Sequence, residues 1–257
     1  MVPITRSQDH PITQYSSILR YYAALYFRWG PQNWWPAQSR LEVIVGAFLT
    51  QNTNWRNVEK AIANLRAARV LSVAGLRAIS LGRLETLVRP SGYFRQKARN
   101  LKYFIRFLDR NYAGSLDRMF AQPTERLRAE LLALYGVGLE TADSILLYGG
   151  NHPVFVVDAY TRRILERHAM IARQASYEEI RRLVETALSK AESNALKFPQ
   201  AGSEPRHTVS RMSRSSRGEP AARHYNELHA LIVRTGNQYC RSTPKCEDCP
   251  LGRFLPR

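Results

Sequence analysis

Residues 131–167, LLALYGVGLETADSILLYGGNHPVFVVDAYTRRILER, decide the fold. Leu127, Leu131 and Leu134 recur at helical spacing and stop at Tyr135-Gly136-Val137-Gly138, and beyond the turn Ala142, Ile145, Leu146 and Gly149 resume that spacing. The segment reads as helix, tight turn, helix. Gly136 and Gly138 permit positive φ and carry no Cβ, so the amides around Val137 and at the start of the second helix can approach an anionic oxygen closely. A turn of this kind holds a phosphate without reading base sequence. Taken alone, the turn fits an ordinary helical hairpin with a glycine C-cap equally well.

Asp158 follows, framed by the apolar run Val154, Phe155, Val156, Val157 on one side and the helically spaced Ile164, Leu165 and His168 on the other. This predicts a helix N-terminus at Asp158. N-capping is the commonest work for an aspartate there. A cap can also be a catalytic group, because helix amides and the dipole favour the negative charge that would stabilise a sugar cation or activate water against it.

Working outward, residues 18–29, 41–50, 58–65, 84–88, 97–108 and 180–187 place apolar side chains at three-and-four spacing without sustained alternation, which predicts an all-α chain. Lys plus Arg number 38 against 21 Asp plus Glu, a formal charge of +17, and 44% apolar content over 257 residues suffices for a sizeable core. Such an excess usually means a polyanionic partner, though a basic chain can simply be a basic protein. No stretch approaches a membrane span and the N-terminus lacks the apolar run of a signal peptide, so the expectation is a cytoplasmic, nucleoid-associated protein with no membrane partner. Residues 198–223, FPQAGSEPRHTVSRMSRSSRGEPAAR, are rich in Ser, Arg, Pro and Gly and are expected to be a disordered basic insertion. Cys240, Cys246 and Cys249 cluster near the end, a pattern of metal ligands rather than of disulfides.

These motifs, in this order, resemble the helix-hairpin-helix DNA glycosylase superfamily, and within it the endonuclease III branch. LEVIVGAFLTQNTNW at residues 41–55 resembles the segment where a buried helix ends at a glutamine that enters the DNA stack, which here is Gln51. SGYFRQKARN at residues 91–100 resembles the loop that supplies a second wedge, and residues 226–232 resemble the helix before the family's iron-sulfur loop. The resemblance spans roughly residues 20 to 195 and 222 to 252.

Departures from the family pattern narrow the reading. Strand-cutting members of the branch carry a lysine two residues after the GVG that attacks the sugar as a Schiff base, whereas this chain has Glu140. The resemblance therefore implies a glycosylase without AP lyase activity, with Lys97 the alternative amine. Adenine-mismatch members have a glutamate four residues before the intercalating glutamine; Ala47 stands there. Trp34, Trp35 and Pro36, with Trp55, resemble the base pocket of endonuclease III-type 3-methyladenine DNA glycosylases. Electron-rich rings attract a cationic alkylpurine by stacking and cation–π contact, although each tryptophan is also an ordinary candidate for the core. The cysteines follow C-x5-C-x2-C with no fourth cysteine after Cys249, so a complete Cys₄ set is missing. Three states stay open: a loop without metal, as in some alkyladenine glycosylases of this branch, a 4Fe-4S cluster completed by another ligand such as His229, or zinc held by the thiolates.

The resemblance implies two lobes, a helical barrel with the hairpin over residues 40–155 and a second lobe from residues 1–39 and 156–257, with the active site in the cleft between them. It implies a monomer acting on double-stranded DNA with damaged bases, releasing alkylated purines with no cofactor required for the chemistry. Competing readings are an endonuclease III-like glycosylase/AP lyase on oxidised pyrimidines, and a non-catalytic binder of damaged DNA.

Overall fold

The computed structural model describes residues 11–32, 34–193 and 220–256, and among them no strand occurs. In chain order the helices are α1 (Pro11–Trp29), α2 (Arg40–Thr50), α3 (Trp55–Ala67), α4 (Val73–Ala78), α5 (Leu81–Val88), α6 (Phe94–Tyr112), α7 (Leu116–Phe120), α8 (Thr124–Leu132), α9 (Leu139–Ser144), α10 (Ala159–Arg167), α11 (Tyr177–Ser193) and α12 (Pro220–Gln238). Several begin before their apolar periodicity does, because a polar residue caps them: Ser39, Asn54 and Ser80 accept from Glu42 N, Asn57 N and Arg83 N. Of the expected insertion at 198–223, residues 198–219 lie outside the described residues. The remainder, 220–223, is no loop; it forms the first turn of α12.

The chain divides into two compact units. Among the described residues the larger comprises Trp35–Val156 with residues 220–222 and is built around α2, whose residues 41–49 are all buried. Burial on every side makes α2 a central post instead of an amphipathic surface helix. Its buried Glu42 is paired, accepting from Arg66 at 2.8 Å and from Gln38 N at 3.3 Å. The two helices of the hairpin, α8 and α9, are locked by a buried bidentate pair in which Arg128 donates to Asp143 at 2.6 and 3.1 Å. After α9 the backbone widens into a π-helical turn, Ile145–Gly150, where the Phe120 ring leaves no room for a Cβ on Gly149. Buried residues 154–157 then run without regular secondary structure to Asp158.

Among the described residues the smaller unit comprises residues 11–32 and 34, 157–193 and 223–256. In it α1 packs against α11, burying Ile18, Tyr21, Tyr22 and Leu25 on one helix and Ile180, Val184, Ala187 and Leu188 on the other. Helix α12 adds Tyr225, Leu228 and Leu231 to the core.

Candidate active site

In the larger unit the two hairpin glycines meet different demands. Gly136 has φ of 79°, and a Cβ on it would run into the side chain of Asn100. Gly138 is extended, at φ −94° and ψ 178°, with nothing within 4 Å of where its Cβ would be. Conformation demands the first glycine, and only open approach is served by the second. Val137 between them is buried and anchors the turn.

Gln51 caps the C-terminus of α2, and its Nε2 donates to Gly136 O and to Thr141 Oγ1, both at 2.9 Å. Residues 85 and 90 positions apart are thereby brought together, with Gln51 resting on the hairpin. Trp35 and Trp55 are also brought together, edge to face with centroids 5.2 Å apart, and Tyr148 from the π-helical turn joins them 4.9 Å from Trp35. Sequence reasoning missed Tyr148 because its neighbours read as ordinary helix. It also missed Gly46, whose bare Cα lets the Trp35 ring pack where a Cβ would come within 3.3 Å. Trp55 Nε1 donates to Glu59 at 3.0 Å, and Pro36 is exposed. Tyr93, at the start of α6 in the segment resembling a second wedge, is 71% exposed with φ of 44°.

The two positions that bear on strand cleavage, Glu140 and Lys97, both lie in the larger unit. Glu140 is exposed in the first turn of α9. Lys97 is 2% exposed, and its Nζ donates to Leu49 O at 2.9 Å and Ser91 O at 2.6 Å. Burial pushes its pKa down to about 8, and the ammonium closes the end of α2. Ala47 is buried within α2.

In the smaller unit Asp158 caps α10 as its flanks predicted, Oδ1 accepting from Thr161 N at 2.7 Å. Its other oxygen, Oδ2, lies 3.7 Å from His229 Nε2 on α12. Burial pushes the His229 pKa down, with Asp158 opposing. Local sequence gave no sign of this pairing, since it joins residues 71 positions apart (229 − 158). The preceding residue is fixed as well, Val157 N donating to Tyr177 Oη at 3.2 Å. Trp34 belongs to this unit and is half-buried, while Asn33 lies outside the described residues.

The three cysteines are free thiols, Cys240 buried and the others half-buried. Arg167 donates to Cys240 Sγ at 3.2 Å and to Arg241 O at 2.7 Å, and Arg163 donates to Cys240 O at 2.6 Å. Burial pushes the Cys249 thiol pKa up, against thiolate formation. Among the described residues no three His, Cys, Asp or Glu side chains converge as a ligand set. Cys240, Cys246 and Cys249 line one pocket with His168, three thiols without the fourth cysteine of a complete set.

The chain matches the model of the HhH-GPD superfamily base excision DNA repair proteins over residues 45–190. It is 39% identical over 243 residues to a protein of Methanocaldococcus jannaschii whose provisional name is DNA repair glycosylase, covering 94% of this chain and 96% of that one. Endonuclease III of Thermotoga maritima is 32% identical over 129 residues, 49% of this chain and 54% of the relative. Among solved structures, the H. pylori 3-methyladenine DNA glycosylase bound to 1,N6-ethenoadenine superposes with a TM-score of 0.71 at 25% identity, covering 88% of this chain and 97% of that chain. A trapped endonuclease III–DNA covalent intermediate shares the fold with a TM-score of 0.66 at 19% identity, over 92% and 93% of the two chains. This chain belongs to the HhH-GPD superfamily of base excision DNA repair proteins.

Proposed function

We propose that the protein is a monofunctional DNA glycosylase that extrudes an alkylated purine such as 3-methyladenine from duplex DNA and hydrolyses its N-glycosidic bond. The observation that carries this reading is the aromatic cluster of Trp35, Trp55 and Tyr148. Electron-rich ring faces favour a cationic base over neutral ones, and the weakened bond of such a base needs only modest electrostatic help. Asp158 supplies that help, its carboxylate stabilising the sugar cation or activating water. Gln51 fills the gap left in the stack, and the turn at Gly136, Val137 and Gly138 holds a phosphate. Glu140 supports the absence of strand cleavage, since a carboxylate forms no imine.

Chromatography of bases freed from methylated duplex DNA tests the substrate class and the catalyst together. Asp158→Asn is expected to keep DNA affinity and to lose about 10²–10⁴-fold in base release; release at the native rate would reject the role. Borohydride on a reacting mixture is expected to trap no covalent complex. A trapped complex on oxidised pyrimidines would instead mark an endonuclease III-like lyase. No freed base from alkylated, oxidised or mismatched duplexes would mark a non-catalytic binder.

A further inference from the structure

The larger unit carries a basic face that the proposed chemistry does not use. Along α6, Arg99, Tyr103, Arg106 and Arg110 are exposed at helical spacing, while Ala98, Leu101, Ile105 and Leu108 behind them are buried. An open groove of about 440 Å³ runs beside this stripe, lined by Arg77, Arg99, Lys102, Tyr103 and Arg106. Asp109 is its one acidic lining residue and is engaged by Arg77 at 2.8 and 2.5 Å, which leaves the groove strongly positive. Lys102 donates to Leu76 O at 2.8 Å and Arg77 O at 3.0 Å, closing the end of α4 while keeping its charge in the groove.

The stripe is continuous with the hairpin. Arg106 sits over the Tyr103 ring at 5.9 Å, and Tyr103 meets Tyr135 edge-on at 6.1 Å. Tyr135 opens the Tyr-Gly-Val-Gly turn and is 68% exposed. Exposed tyrosines between guanidiniums present ring faces and forked donors together, the combination that suits a sugar-phosphate backbone.

We propose that this face is a track for the backbone of the same duplex outside the lesion, extending the hold of the hairpin along α6. The proposal rests on the reading that the hairpin binds DNA phosphate. From Arg99 to Arg106 the helix rises about 10 Å, the length of about three phosphates on one strand.

The test is fluorescence anisotropy with an abasic-analogue duplex in a short form and in forms lengthened on one side or the other. Wild-type protein is expected to gain affinity on lengthening one side only. The R99Q/R106Q double variant, whose altered side chains are exposed, is expected to lose that gain and to lower the log–log salt slope by about 2 on the lengthened duplex. Binding to the short duplex stays at the wild-type level. Tyr103→Ala, which removes a ring without a charge, is expected to reduce the gain and leave the slope unchanged. The proposal is overturned if length brings wild type no gain, or if the double variant weakens both duplexes equally. Wild-type protein that binds neither duplex overturns the hairpin reading itself, an outcome distinct from the other two.

Discussion

Two carboxylates of the smaller unit show how position decides the behaviour of one residue type. Asp158 stands at a helix start where a backbone amide receives it, and the flanking pattern made that legible in the sequence. Glu227 is buried on α12, accepts from Gln32 N at 2.7 Å, and is pushed up to about 7 chiefly by desolvation. Its folded pKa is raised above the ordinary 4.5, so the stability it contributes is full below that value and is lost as pH rises through about 7. Glu227→Gln keeps the acceptor and removes the titration. Melting temperature against pH is expected to flatten over this window, with stability above it raised by on the order of 1–3 kcal/mol. An unchanged profile would count against the buried acid. Lys97, Tyr148 and His229 were not legible in these roles, because each acquires its part from a neighbour distant in the chain. A lone lysine or histidine in a sequence carries no record of what faces it.

At the scale of elements, the helix-turn-helix over α8 and α9 was legible because its signals are local, spacing and a glycine pair, whereas the capped first turns of α3 and α5 went unread because apolar spacing starts only after them. The π-helical turn was not legible either, since Ile145, Leu146 and Gly149 repeat as they would in an α-helix and only the Phe120 ring over Gly149 marks the difference. The unequal demands on the hairpin glycines give a paired prediction. Gly136→Ala combines positive φ with the Asn100 clash and is expected to cost about 1–3 kcal/mol of stability. Gly138→Ala meets open space and is expected to change stability by less than about 1 kcal/mol, while its methyl group on the exposed turn weakens DNA binding several-fold. Denaturant titration and anisotropy on both variants separate the two effects; equal stabilities would show that the turn tolerates a side chain at Gly136.

For the molecule as a whole, the amount of charge was legible in composition but its layout was not. Arginine supplies 32 of the 38 cations, so the surface keeps its charge across any pH at which the fold survives and favours forked, phosphate-matching donors. Only the fold shows that four of the exposed α6 positions gather beside a turn suited to phosphate. The cysteine loop was legible as a ligand pattern; the arginine that braces it in the structure was not. Since the chemistry proposed at Asp158 uses no metal, base release is expected to survive dialysis against a chelator, followed together with iron and zinc content; activity lost on chelation and restored by metal would reject this. A last consequence follows from the berth of Gln51. Leaving it hands the exposed Gly136 carbonyl to water and uncovers the Thr141 hydroxyl, so under the proposed function the move of this amide into a DNA stack carries only a small cost. If Gln51 enters the stack as proposed, the two hydrogen bonds that hold it on the turn set the weight that an opening base step has to outbid.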